Sequence, residues 1–520
     1  MTYRLGIDVG GTNTDAVILD DRNRVAAKAK ASTTPDVSSG IDEAVGRVLA
    51  QSKLPHGSVT NAMLGTTHAT NAIVERRGLS KVGAIRLAGP SGFAIPPFIE
   101  WPQDLLQALG CPAVIVRGGY EYNGTPLALP DRDEIRRALE TISRKGAEAL
   151  AVSCVFSPIS GEQELLVQSL AGEVLGKDFP VTLSSEIGSI GIIERENAAV
   201  LNAAIRALAQ KAYGSFQDVL AKHGVEAELF ITQNDGTLMS IEYARRYPVL
   251  TIASGPTNSL RGAAFLSGLK NAIVVDVGGT TTDVGVLVNG FPRESSSAVE
   301  MGGVRTNFRM PDLISIGLGG GSLVDLAAMP PVVGPRSVGF RITSEALVFG
   351  GGTLTASDVA VAGGMAALGD AKRVAGVDAH RAKAALAVMK AMVEEQIDKM
   401  KTSAEGLPVI LVGGGSILLP DSLQGASSVL RPEHFEVANA IGAAIAQVSG
   451  AVDGVFDTAG KGREKVLEEV KASAIAEAVK AGAEESTTTV VDVEELPLAY
   501  LPANTVRFKV KAVGNLKRSR

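Results

Sequence analysis

One segment of this chain is written twice. Ile7–Leu19 reads IDVGGTNTDAVIL, and Val275–Leu287, 268 residues later, reads VDVGGTTTDVGVL. Positions 8–15 and 276–283 agree at seven of eight places, differing only at Asn13 against Thr281. A period this long is no solenoid repeat, so it predicts two related domains that each carry the same element. Each copy is a short apolar strand, an Asp, a Gly-Gly-Thr turn, a Thr-Asp and a second apolar strand. That order spells a β-hairpin whose tip is rich in backbone N–H groups and hydroxyls.

The hairpin tip suits an anion. Gly10, Gly11, Gly278 and Gly279 let the backbone bend and let a ligand approach it closely. Thr12, Asn13, Thr14, Thr280 and Thr281 are candidate contacts to phosphate oxygens. Asp8 and Asp276 would repel a bare phosphate, but they fit Mg²⁺ held between carboxylate and phosphate, commonly through water. Asp15 and Asp283 are the second carboxylates of each copy, open to a turn-stabilising or a metal role. Two such hairpins face to face would clamp a polyphosphate from both sides.

Glycine supplies 58 of the 520 residues, against a usual share of about 7%. Two further runs account for part of the excess. VILVGGGSILLP (Val409–Pro420) predicts a strand running into a triple-glycine turn, where Gly413, Gly414 and Gly415 would admit a flat ring against the backbone. IGLGGGSLVD (Ile316–Asp325) is similar, with a substrate-side or inter-domain role as open as a nucleotide contact. Neither a GxxxxGK[ST] loop nor a GxGxxG turn opening a helix is present.

Around these motifs strands and helices alternate, which predicts α/β architecture with mainly parallel sheets. Arg4–Val9, Ala16–Leu19, Val82–Leu87, Ala113–Arg117, Ala149–Phe156 and Pro408–Val412 read as strands. Ser39–Gln51, Asp131–Arg144, Gly161–Leu175, Glu194–Leu220, Ser357–Met400, Ala438–Val448 and Lys461–Ala481 read as helices. Thr487–Val493 and Val506–Val513 are β-branched strands of a short α/β tail, and the closing LKRSR reads as a frayed basic end. Expected domains are 1–190, 191–455 and 456–520.

A net charge of −6 argues against non-specific binding to nucleic acid or a membrane surface. Neither a signal peptide nor a membrane-spanning apolar window is visible, so a cytoplasmic location is expected. Cys111 and Cys154 read as small core residues, and Trp101 as a packing anchor. His56, His223, His380 and His434 have no ligand-like spacing.

Paired Asp-Gly-Gly-Thr hairpins, a later triple-glycine turn and a small-residue helix after it resemble the actin-like and sugar-kinase ATPase superfamily. Asp8–Asp15 looks like its first phosphate motif, Asp276–Asp283 its second, Val412–Ser416 its adenosine motif and Ala438–Val448 its connecting helix. The likeness is closer still to the hydantoinase/oxoprolinase family, in particular the hydantoinase A-type subunit. It is carried by GTTHATNAIVERRG (Gly65–Gly78), SSEIGSIGIIERENAAVLNA (Ser184–Ala203), QNDGTLMS (Gln233–Ser240), ASGPTNSLRGA (Ala253–Ala263), the second hairpin and IGLGGGSLVD. Past 325 it weakens: SVGFRITSEALVFGGGT (Ser337–Thr353) stands where relatives have a DPGP-type stretch.

The resemblance implies an actin-like fold of two ribonuclease-H-like domains around a nucleotide cleft, with an inserted or appended α/β element. It implies ATP and Mg²⁺ as cofactors and ATP-dependent opening of a cyclic amide such as a hydantoin, 5-oxoproline or a lactam. The amide oxygen would be phosphorylated before hydrolysis. A second, B-type subunit and an oligomer are implied as well. A sugar-kinase-type small-molecule kinase, an ATP-switched activator and a carboxylase subunit are the alternatives. Asp8, Asp276 and Asp283 are expected to be catalytic, with Asp8 and Asp276 organising metal. His68, Asn71, Glu186, Ser254 and Asn258 are substrate-side candidates, with Ser254-Gly255-Pro256 read as a rigid turn before a helix.

Overall fold

The computed structural model describes residues 2–34, 37–55, 57–110, 112–188, 190–295, 299–308, 310–498 and 504–517. His56, Cys111 and the last three residues of LKRSR lie outside them.

Both copies of the repeat are antiparallel hairpins in the same register. Tyr3–Val9 pairs with Asn13–Leu19, setting Asp8 opposite Asp15. Ala272–Val277 pairs with Thr282–Val288, setting Asp276 opposite Asp283. Each hairpin then nucleates a sheet of one topology. In the first, the order from the edge is Val25–Ser32, Asn13–Leu19, Tyr3–Val9, Val59–Thr66, Glu228–Thr232. In the second it is Phe291–Pro292, Thr282–Val288, Ala272–Val277, Leu407–Val412, Ala426–Leu430. In both, the strands before the first are antiparallel and those after it parallel. This is the expected pair of ribonuclease-H-like halves of an actin-like fold.

The hairpin strands are apolar without alternation because both faces are covered. Leu5, Ile7, Ala16 and Ile18 pack under the helix Val37–Ser52 and the 31-residue helix Ile192–Lys222. Val17 and Leu19 face the other way, onto the helix Ala438–Ala444. The second sheet is covered by Ala356–Ala362 and Ala379–Met400.

Between Val59–Thr66 and Glu228–Thr232 the chain inserts a four-stranded parallel sheet. Its order is Ala113–Arg117, Val82–Gly89, Ala149–Cys154, Val181–Leu183. Cys154 is buried there as a free thiol, and Trp101 is buried with its Nε1 donating to Asn197 Oδ1 at 2.9 Å.

The tail is no appendage. Gln447–Asp457, Thr505–Gly514 and Thr489–Pro497 extend the first sheet to nine strands through the short strand Thr237–Ser240. Helix Arg463–Lys480 presents Val466, Val470, Ala474 and Ala478, four residues apart, to Phe508, Val510 and Ala512. Divisions at 190 and 455 therefore do not coincide with the sheets, since the first sheet gathers strands from three separate stretches.

Two expected helices are shorter than their patterns. Ser357–Met400 breaks at Gly363–Gly364, where Gly364 has φ +77°, into Ala356–Ala362 and Ala379–Met400. Ala438–Val448 stops at Ala444, because Gln447 and Val448 pair with Thr237 and Leu238. Ser254, Gly255 and Pro256 are not a turn ahead of a helix but the first turn of the helix Ser254–Ser267.

That helix crosses Ala438–Ala444 between the two halves at backbone contact. A Cβ on Gly442 would lie 1.8 Å from Asn258 O, and one on Gly262 1.9 Å from Ala438 O. Only glycine permits this approach.

Candidate active site at the paired hairpins

The two turns are closed in the same way. Gly10 N donates to Asn13 O at 3.0 Å, and Gly278 N to Thr281 O at 2.9 Å. The tips meet across the two halves, with Thr12 Oγ1 and Thr280 Oγ1 3.1 Å apart. Thr12 also lies where a Cβ on Gly279 would fall, 2.6 Å away.

Both further glycine runs pack on the second hairpin. Gly413 has φ +81°, and a Cβ there would lie 2.2 Å from Asp276 Oδ1; on Gly415 it would lie 2.5 Å from Gly278 O. From the opposite run, Gly320 N donates to Gly278 O at 3.0 Å and Gly321 N to Gly279 O at 2.7 Å. The Ile316–Asp325 run, whose role the sequence leaves open, is thereby a support of the second tip. At Gly11 and Gly414 a Cβ would meet nothing within 4 Å, so the backbone there faces open space.

Beneath the tips sit four carboxylates. Asp8 Oδ1 accepts from Asn258 Nδ2 at 3.0 Å, and Asp8 Oδ2 from Asn439 Nδ2, also at 3.0 Å. Asn439 Nδ2 donates in addition to Asp15 Oδ2 at 2.9 Å, while Lys30 Nζ pairs with Asp15 Oδ1. Ser259 hydrogen-bonds Asp276, and Ser315 Oγ donates to Asp283. Burial pushes the Asp8 carboxyl up to about 6, with Asp15 and Asp276 adding repulsion and Asn258 and Asn439 opposing it. Burial likewise raises Asp276, and it lifts Asp283 to about 7 with a contribution from Asp276.

Among the described residues no three His, Cys, Asp or Glu side chains are grouped to hold a metal ion by themselves. The donor set still fits Mg²⁺ shared with phosphate. Asp8, Asp276 and Asp283 are desolvated acids, with Asp276 repelling both of the others, and a divalent cation among them would relieve both effects. Backbone open at Gly11 and Gly414 fits the phosphate and base of a nucleotide.

The substrate-side candidates divide. Thr67 Oγ1 donates to Val9 O at 3.2 Å, fastening the helix His68–Glu75 to the first hairpin. His68 N donates to Thr66 Oγ1 at 3.1 Å, and burial lowers the His68 imidazole below its usual range. Asn71 Nδ2 reaches Thr67 Oγ1 at 3.5 Å, and Ser254 Oγ donates to Thr66 O at 3.3 Å. Asn258 is thus committed to the Asp8 carboxylate, while His68, Asn71 and Ser254 hold to Thr66 and Thr67 at the end of the neighbouring strand. Glu186 sits elsewhere, accepting from Arg246 Nη2 at 2.6 Å and Tyr247 Oη at 2.5 Å. Asn439 escapes the sequence reading. Its only signal is that it is the one polar side chain in the helix ANAIGAA.

Comparison with known proteins agrees with this fold. The family model for the hydantoinase/oxoprolinase N-terminal region matches residues 4–175, and that for hydantoinase/oxoprolinase matches 195–365. The gamma subunit of acetophenone carboxylase from Aromatoleum aromaticum is 28% identical over 69% of this chain and 52% of its own length. Caprolactamase subunit alpha from Pseudomonas jessenii is 26% identical over 74% of this chain and 58% of its own. The chain spans about half the length of the curated relatives it matches. Among solved structures, ATP-dependent caprolactamase from Pseudomonas jessenii superposes with a TM-score of 0.76 at 18% identity, covering 99% of this chain and 88% of that one. Nucleotide-free acetone carboxylase superposes with a TM-score of 0.72 at the same identity and the same coverage. The shared fold therefore takes in the tail, where the sequence motifs fade. No helix among the described residues is long and apolar enough to cross a membrane.

Proposed function

Because the chain belongs to the hydantoinase/oxoprolinase family, we propose that it is an ATP-dependent enzyme subunit that phosphorylates a carbonyl oxygen, and that its substrate is a cyclic amide. The observation that carries this reading is the pair of equivalent hairpins meeting at Thr12 and Thr280 over the buried Asp8 and the half-buried Asp276 and Asp283.

An unstrained amide is a poor electrophile with a poor leaving group. Transfer of the γ-phosphoryl breaks its bond to the β-phosphate oxygen and forms one to the amide oxygen, releasing ADP. Water then adds to the activated carbon, the C–N bond breaks, and the ring nitrogen takes a proton. The acyl phosphate left behind is hydrolysed by a second water to carboxylate and phosphate. Such a transfer needs positioning and charge stabilisation more than covalent help. Mg-ATP would bring the phosphoryl group and the cation that neutralises its charge. Gly10–Thr14 and Gly278–Thr281 would hold the phosphates from both sides, with Gly413–Gly415 at the base. Asp8 and Asp276 would orient the metal's water ligands. Asp283, poised near neutrality, would hold or release a proton. His68 and Asn71 would meet the amide from the first hairpin's flank.

Relatives named as carboxylase subunits favour a second reading, in which the oxygen phosphorylated is that of a ketone's enol form and bicarbonate is consumed. Several relatives are named as subunits, which supports a partner chain. The test is release of ADP and phosphate over a panel of hydantoins, 5-oxoproline and lactams, with and without co-purifying protein. Ring opening matched one-to-one by phosphate is expected, and Asp276→Asn should abolish it. Turnover only with a ketone and bicarbonate would replace the cyclic amide by the second reading. A stable phosphorylated product would make the chain a kinase.

A further inference from the structure

We propose that a cavity away from the hairpins is a second binding site, for a small molecule carrying a carboxylate or phosphate group. The cavity, about 640 Å³ and open to solvent, lies where Gly176–Val181 passes the helix Ile192–Lys222. That volume falls in the range of roughly 300–1,000 Å³ typical of small-molecule sites. It shares no lining residue with either hairpin or with the glycine runs behind them.

Arg206 makes the case. Three cations line it, Lys177, Arg206 and Arg246, with two acids, Glu148 and Asp178. Glu148 keeps its charge but is held by the Lys81 backbone N–H, which donates to its Oε2 at 2.9 Å. Arg246 is committed to Glu186 at 2.6 Å. Arg206 is not. Its Nη1 donates to Val181 O at 3.1 Å, but its Nε is buried with no hydrogen-bond partner among the described residues. Burial, and then the nearby positive charge of Arg246, hold the Arg206 guanidinium below its ordinary range. No carboxylate pairs with Arg206 among the described residues, and an oxyanion in the cavity would supply that counter-charge while screening the two arginines from each other. The planar guanidinium matches carboxylate and phosphate alike. Ser80, Gln168 and Gln210 also line the cavity, as neutral polar groups for the remainder of a ligand.

The experiment is calorimetric titration of the full chain with glutarate and, separately, inorganic phosphate, each in the presence of saturating Mg-ATP. Saturable binding of one probe is expected, and which one binds tells carboxylate from phosphate. Arg206→Gln should weaken it by about tenfold or more, the loss of one good polar contact. Gln210→Glu, a charge placed on an exposed helix position, should do the same without threatening the fold. Asp276→Asn should leave probe binding intact, which separates this site from the proposed nucleotide site. The inference is overturned if neither probe saturates by about 10 mM. It is equally overturned if Gln210→Glu binds as tightly as the parent, or if Asp276→Asn removes the binding.

Discussion

Asn439 gives one amide nitrogen to two carboxylates, Asp8 and Asp15, that belong to facing positions of one hairpin. It opposes the effect of burial on Asp8, so Asn439→Ala should move that carboxyl further above about 6. We expect turnover to fall about 10–100-fold, as for other residues that orient a metal-organising carboxylate. The acid limb of the pH–rate profile should shift upward. Loss of activity with an unmoved profile would reduce Asn439 to a packing role. The same acids set a pH dependence of stability. Asp8 at about 6 and Asp283 at about 7 lie above their unfolded values near 3.9. Between those limits the folded chain holds more protons than the unfolded one, so its stability falls as pH rises from about 4 to about 7. In Mg²⁺-free buffer the melting temperature should decline across that window, and Asp8→Asn with Asp283→Asn should flatten the decline. The acids themselves were legible in the sequence because they occur twice in one pattern. Asn439 was not, since a lone amide in a small-residue helix has no spacing to betray it. Glu186 read as a site residue by its neighbourhood in the sequence, but Arg246 and Tyr247 claim it in space.

At the scale of elements, periodicity located the long helices and the hairpin strands, but it missed strands such as Val25–Ser32, Val59–Thr66 and Gln447–Asp457 and did not show where tertiary contacts cut the elements it found. Ala438–Val448 carries helical spacing throughout, yet its end is taken by pairing of Gln447 and Val448 with Thr237 and Leu238. The crossing of Ala438–Ala444 with Ser254–Ser267 was equally hidden, because glycine in a helix reads as a weakness until a second backbone is seen against it. Here the backbone is Asn258 O, 1.8 Å from a Cβ on Gly442, and Asn258 is the partner of Asp8. Gly442→Ala should therefore cost about 1–3 kcal/mol by forcing the helices apart and should impair nucleotide turnover as well. Gly214→Ala is the control. It is helical with nothing within 4 Å of the added carbon, so it should be neutral or stabilising by about 0.5–1 kcal/mol. Equal melting temperatures for the two variants would mean that the crossing is not tight.

For the molecule as a whole, chain order misleads about which parts belong together. A composition change near 456 reads as the start of a separate tail, because pairing between distant strands leaves no trace in local pattern. In space the tail completes the hydrophobic face of the first sheet. Met63, Phe230 and Leu238, from the first sheet's own strands, are buried in one cluster with Val466, Val470, Phe508 and Val510. Removing residues 447–520 would return those three side chains to water at about 1.5–3 kcal/mol each, a sum comparable with the whole stability of a domain. It would also leave Thr237–Ser240 as an open edge. The truncated chain should therefore fail to unfold as a cooperative unit, and it should elute as aggregate on size exclusion, although both hairpins are intact. The 520-residue chain should melt cooperatively, and Mg-ATP should raise its melting temperature, since a ligand that binds only the folded state stabilises it. A monomeric truncation that retains Mg-ATP stabilisation would show that the tail is separable after all.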